Sequence, residues 1–145
     1  MNTGSSAIVI HNKKILLLLR DNIPTILYPN KWSLPGGCTE IGETPKQTLL
    51  RELDEEICVK PKNIKSIGQY TDKGDMSTDY LFVVNLDDFE ASQVKLGNEG
   101  QELKFFALNE IENIRLTPIL KKNYFLYKEE IRGLVERGEV NFYLY

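Results

Sequence analysis

Between Trp32 and Ile57 the chain has little choice of local path. Trp32 to Leu34 reads as a short strand, and Pro35-Gly36-Gly37 stops it, because these residues punctuate regular structure. Thr44 to Ile57 then reads as a helix. Thr44 is an N-cap residue, and Pro45 follows at the first helical position, where its missing N–H costs nothing. At about 100° per residue, Leu49, Leu50, Leu53 and Ile57 share one side, while Glu52, Glu55 and Glu56 fall on another. Such a helix must lay its leucine side on a core and leave its acidic side turned away.

The rest of the chain offers that core. Ala7 to Ile10 and Lys14 to Leu19 read as buried strands joined by a turn at His11-Asn12-Lys13. Asp21 to Lys31, with Pro24 and Pro29, is a loop. Ile64 to Tyr70 and Tyr80 to Leu86 look like paired strands, connected by the polar segment Thr71 to Asp79. Leu103 to Phe106 is a further strand, Asn109 to Ile114 a short helix, and Pro118 to Val135 a longer one. Phe142 to Tyr145 is a tail or a closing strand. Strands precede, separate and follow the helices without strict alternation, which favours a mixed α/β architecture, a sheet packed between helices. The 145 residues correspond to one domain, 1–145, with 41% hydrophobic and 27% charged residues.

Charge and cysteine content narrow the function classes. Eighteen Lys and Arg against 21 Asp and Glu give a net charge of −3, which argues against DNA or other long nucleic acid as a partner. Lys60, Lys62 and Lys65 form a small basic cluster, read as a solvated face. Cys38 and Cys58 make no disulfide framework and fit a reduced compartment. The longest apolar run, Ile15 to Leu19, is far short of the roughly 20 residues of a membrane span. The expected location is the cytoplasm, with no membrane partner and a monomeric or homodimeric state.

Three glutamates on one helical side repel each other. A helix selected for stability alone would interleave Lys with Glu, since like charges at i and i+4, as at Glu52 and Glu56, are unfavourable. One reading is an acidic face that is simply solvated. The other is a site for a hard divalent cation, since Mg²⁺ takes carboxylate oxygens together with waters and substrate phosphates. The Gly36-Gly37 turn lets backbone approach closely, so a carbonyl there can complete the set. Such a site suits hydrolysis at phosphorus.

The spacing favours the second reading. Gly37, Glu43, Arg51, Glu52, Leu53, Glu55, Glu56 and Val59 together resemble the Nudix box, in which a Gly precedes Val59 where this chain has Cys58. At residue frequencies of roughly 6% each, a chance match is on the order of 10⁻⁷ per start position. Trp32-Ser33-Leu34-Pro35-Gly36-Gly37 is similar to the strand and turn that lead into the box in MutT-type members. Gly97-Asn98-Glu99-Gly100-Gln101 is similar to a later loop that supplies a further acidic ligand.

The resemblance implies an α/β/α sandwich with a mixed sheet between helices. It implies that Glu52, Glu55 and Glu56, with the backbone of Gly37, hold Mg²⁺ or Mn²⁺, with Glu99 as a fourth carboxylate and Glu102 as its substitute. One glutamate, Glu52 first, is the candidate general base. Arg51 orients a helix carboxylate, and Gly36 and Glu43 fix the loop. Cys58 implies a different end to the helix, because the Gly it replaces would take a positive φ there. His11 is read as an exposed turn residue, and Trp32, Tyr28, Phe82 and Phe105 as core residues or a base-stacking wall.

The implied reaction is hydrolysis of the pyrophosphate linkage of a nucleoside diphosphate derivative, a small nucleotide. The chain looks most like members that cleave a nucleoside triphosphate, oxidised or not, to the monophosphate and pyrophosphate. The amide that such members place ahead of the last helix is Leu116 here, with Asn113 and Asn123 as replacements, so selectivity for an oxidised purine is not expected. A nucleotide sugar or ADP-ribose is the alternative substrate. An RNA 5′-end pyrophosphohydrolase and an inactive nucleotide sensor are further readings. The substrate-binding residues are not legible.

Overall fold

A computed structural model describes residues 2–74 and 76–139. Phe142 to Tyr145 lie outside the described residues. The expected mixed sheet between helices is what the chain forms.

Strand β1 (Thr3–His11) and strand β2 (Lys14–Leu19) make a hairpin whose turn residues, Asn12 and Lys13, both have positive φ, as a two-residue turn requires. The strands stay paired only as far as Val9 and Leu16. Beyond that they separate, and two short strands fill the gap. Strand β3 (Trp32–Ser33) pairs with the end of β2, and strand β4 (Gly36–Cys38) pairs with the start of β1. The other edge of β1 is taken along its length by β6 (Thr78–Asn85), in parallel, from Thr3 opposite Thr78 to Ile10 opposite Asn85. Strand β5 (Asn63–Thr71) lies antiparallel to β6, and β7 (Glu102–Phe106) lies antiparallel to β2.

Alternation along β1 divides the molecule into two cores. Ala7 and Val9, with Leu16, Phe82 and Val84, face helix α1 (Pro45–Ile57) and meet Leu49, Leu53 and Ile57. Ile8 and Ile10, with Ile15, Leu17 and Val83, face the other way. They meet Leu108 and Ile111 of α3 (Leu108–Ile111), Tyr124 of α4 (Pro118–Leu126), and Ile131, Leu134 and Val135 of α5 (Lys128–Arg137). Leu49, Leu53 and Ile57 are fully buried as the helical spacing predicts, whereas Leu50, expected on the same side, is only half-buried and belongs to neither core.

Several elements depart from the sequence expectations. Gly36 to Cys38 does not merely stop a strand; it forms β4, because the splayed edge of β1 needs backbone partners that side-chain pattern does not announce. Helix α2 (Asp88–Gln93) was not expected, although Asp87 and Glu90 make a reciprocal capping box at its start. The segment read as one helix from Pro118 to Val135 breaks at Tyr127, where φ is −112° and ψ is 30°. Asn123 O still accepts from Tyr127 N–H and Tyr127 O from Ile131 N–H, so apolar spacing runs through the break with no Gly or Pro to mark it. Asp79, expected in a connecting loop, lies within β6 opposite Gly4.

Candidate active site

The site begins with how α1 starts. Thr44 accepts from Gln47 N–H, and the Gln47 side chain accepts from Thr44 N–H, closing a capping box. Ser5 Oγ donates to Pro45 O at 2.8 Å, which fastens the first turn to β1. Thr48, fully buried, donates to Glu43 at 3.1 Å.

Arg51 then ties the approaching loop to the helix. Its Nε and Nη2 grip both oxygens of Glu43 at 2.8 and 3.0 Å, and Nη2 also donates to Cys38 O at 2.8 Å. Its Nη1 donates to Glu52 at 2.8 Å and reaches Glu55 at 3.4 Å. A planar guanidinium supplies this fork where a lysine would supply one point charge. The Arg51 hydrogen bonds, aided by Glu40 N–H, hold the Glu43 carboxyl at about 2, well below the usual carboxylate range.

Glu52 and Glu56 converge beneath β4. A Cβ on Gly37 would lie 2.5 Å from the Glu52 carboxylate and would push it out of its present position. Gly36 N–H donates to Glu56 Oε2 at 3.4 Å. Gly36 has φ +151°, and a Cβ there would meet Ser5 O at 2.1 Å. Glu56 is only 8% exposed. Burial first, then the hydrogen bond to Glu52 and the Glu52 charge, push its pKa well above the usual carboxylate range. Glu99 adds to this electrostatically from its loop. Gly97 N–H and Lys95 N–H close that loop onto the end of α1, donating to Glu56 O and Ile57 O.

Glu55 points elsewhere. Its side chain is 52% exposed and sits against Arg51. Among the described residues no three His, Cys, Asp or Glu side chains already form a metal-holding group. Two carboxylates beside a Gly-Gly turn that borders the cavity fit Mg²⁺ or Mn²⁺, which bind through one or two carboxylates and keep waters and substrate phosphates for the rest. The donor chemistry fits in a second respect: no ion pair between Glu56 and a basic side chain occurs among the described residues, so a cation at this point relieves a buried like-charge contact.

The acidic pair opens into a cavity of about 590 Å³. Gly36, Gly37, Glu52, Glu56 and Glu99 lie at one end, and Ile8, Leu17, Leu81, Leu120 and Tyr124 line its apolar body. Glu102 is not part of the lining, which separates it from Glu99. Of the aromatic residues singled out in the sequence, Tyr28 borders the cavity. Phe82 is buried against α1, Phe105 packs against the same core, and Trp32 stacks edge-on against Phe106 at 4.8 Å. Asn123 borders the cavity and Asn113 does not; Leu116 is buried in the core. His11 pairs with Asp88 at 2.9 Å, away from the cavity.

Cys58 overturns one expectation. The helix ends with Cys58 at φ 60° and ψ 33°, the left-handed conformation in which Gly is the unstrained choice. The 95–97 loop holds the last helical carbonyls, and that fixes the chain direction whatever the side chain.

Sequence reasoning missed Arg20 and Asp79. Arg20 borders the cavity and donates to Leu27 O at 2.9 Å. Asp79 borders it from β6, and burial pushes its carboxyl up to about 6 against the lowering effect of the Ser6 hydroxyl. Nothing in the polar run around Asp79 marks it; the pairing of β6 with β1 brings it in.

Comparisons with known proteins agree with this arrangement. A family model described as NUDIX domain matches residues 1–127. A curated relative, an ADP-ribose pyrophosphatase of Methanocaldococcus jannaschii, is 32% identical over 108 residues, covering 74% of this chain. The chain spans 62% of that relative's length. The crystal structure of a NUDIX hydrolase from Nitrosomonas europaea superposes with a TM-score of 0.77 at 24% identity, covering 99% of this chain and 76% of that one. The NUDIX domain of Shewanella oneidensis NrtR, solved in complex with ADP ribose, superposes with a TM-score of 0.70 at 20% identity, covering 89% and 87%. These two likenesses show the fold.

Proposed function

The chain belongs to the Nudix family, and from that premise we propose that it hydrolyses the phosphoanhydride bond of a nucleoside diphosphate derivative with Mg²⁺ or Mn²⁺. The observation that carries the reading is the convergence of Glu52 and Glu56 under the Gly36-Gly37 turn, at the polar end of a cavity whose body is apolar. A charged diphosphate and a flat base need those two environments side by side.

Glu52, Glu56 and the Gly37 carbonyl would hold the metal, with Glu99 approaching from its loop. When bound, the metal neutralises phosphate charge and lowers the pKa of a water. The protein's own contribution is placement. Arg51 holds Glu52 by a charge-assisted bond and keeps Glu43 and the 38–43 loop in register with α1. Glu55 serves at the exposed margin. Glu52 is the carboxylate best placed to accept a proton from water, because Arg51 fixes its position at 2.8 Å while Glu56 is buried.

ADP-ribose is the first substrate to test. The relative named for that activity supports it, as does a cavity with room beyond the acidic end. The buried Leu116, at the position where the resemblance implies a purine-reading amide, leaves an oxidised nucleoside triphosphate less favoured. In the test, purified protein with Mg²⁺ is offered ADP-ribose, nucleotide sugars, nucleoside triphosphates, dinucleoside polyphosphates and capped RNA. Release of AMP and ribose 5-phosphate from ADP-ribose supports the reading, and no turnover of any member of the panel refutes it.

A further inference from the structure

We propose that Asp79, held by Ser6, accepts the ribose hydroxyls of the nucleotide and so makes the site select ribo- over deoxyribonucleotides; this rests on the nucleotide reading above. Strand β1 lies between β4 and β6, with Gly4 opposite Cys38 on one side and Asp79 on the other. Asp79 therefore stands two strand spacings, about 10 Å, from Cys38 across the sheet. The floor between them carries no side chain. A Cβ on Gly4 would lie 2.8 Å from Gly37 O and 3.5 Å from Asp79 Oδ1, so it would fill the space that joins the acidic end to Asp79.

Ser6 Oγ donates to Asp79 Oδ1 at 3.2 Å and fixes the carboxylate. Among the described residues Ser6 is the one side chain that donates to Asp79, and no ion pair engages it. A carboxylate has capacity for several donors, so Oδ2 is left for a ligand. One pleat further along the same strands, on the same face, come Ile8 and Leu81, and the apolar body of the cavity begins. Asp79 and Leu81 stand in neighbouring positions on β6, each two strand spacings from β4, so a half-buried carboxylate borders both the acidic end and the apolar walls. The ribose of a nucleotide likewise borders both its phosphates and its base. The group at the middle position must accept from a vicinal diol, and an acidic side chain is the common solution to ribose hydroxyls.

The experiment measures binding apart from turnover. AMP, 2′-deoxy-AMP and 3′-deoxy-AMP are titrated by calorimetry into wild type, Asp79→Asn, Asp79→Ala and Ser6→Ala, with thermal melts to verify folding. Wild type should bind AMP at least about tenfold tighter than either deoxy form, the scale of one hydrogen bond to a charged acceptor. Asp79→Ala should bring AMP to the deoxy level and leave the deoxy forms within twofold, with Asp79→Asn and Ser6→Ala between. Equal affinity of wild type for all three ligands overturns the proposal. So does an equal loss across all three in folded Asp79→Ala, or no binding of any of them. Hydrolysis of the substrate panel without ribose discrimination overturns the Asp79 role alone. Discrimination without hydrolysis overturns the hydrolase reading alone.

Discussion

Glu56 is an acid in an unfavourable place: 8% exposed, beside Glu52, with a 3.4 Å amide contact as its backbone partner. A residue kept there at such cost is expected to matter to the chemistry. Glu56→Gln should lower Mg²⁺-dependent turnover by about 100-fold or more while circular dichroism stays unchanged, since loss of a positioned acid–base or charge-bearing group has that scale. Cys58 carries a different kind of strain. Its φ of 60° costs an L-residue about 1 kcal/mol, so Cys58→Gly should raise the urea unfolding free energy by about that amount. Glu43 gives a pH signature. Its pKa falls from the ordinary 4.5 to about 2 through the Arg51 hydrogen bonds. A carboxylate so lowered contributes stability that is full above 4.5 and is lost as the pH falls through about 2. Glu43→Gln should therefore lower the urea midpoint at pH 7, and the gap from wild type should close as the pH drops below 4.5.

Helix α1 is the element that sequence describes best, because its limits are set locally. The capping box is written in Thr44 and Gln47, and the buried face in Leu49, Leu53 and Ile57. Thr44→Ala should cost about 1 kcal/mol in chemical denaturation, the usual worth of such a cap. Leu53→Ala removes a fully buried side chain and should cost about 2–5 kcal/mol. Other elements are legible only with their partners. Strand β4 contains two glycines and owes its form to the edge that β1 exposes after parting from β2. The first residues of β1, Gly4 to Ser6, lack an apolar alternation, yet they pair on both edges. The break at Tyr127 leaves no mark in a pattern whose apolar positions continue on both sides.

At the scale of the molecule, α1 lies on one face of the sheet and the cavity on the other. The site forms where the splay between β1 and β2 lets β4 bring Gly36 and Gly37 against Glu52 and Glu56. Binding a cation there would tie α1 to β4 and the Glu99 loop, so Mg²⁺ or Mn²⁺ should raise the melting temperature. At a hundredfold excess over its dissociation constant the gain is about 2.7 kcal/mol, and Glu52→Gln should abolish most of it. The net charge of −3 sets no bar to a phosphate substrate, since Glu52, Glu56 and Glu99 are gathered at the cavity, where a bound cation would offset them.

The sequence by itself determined the family, the limits of α1, its two sides and the identity of the box carboxylates. Each is fixed by residue type at short spacing, which a helix converts directly into geometry. Only the tertiary structure decided that Glu52 and Glu56 meet while Glu55 turns out to Arg51, that Glu99 borders the cavity and Glu102 does not, and that Asp79 shares a floor with Gly37. Those relations depend on strand register and on which edges pair. Backbone hydrogen bonding sets both, and it leaves no trace in side-chain pattern.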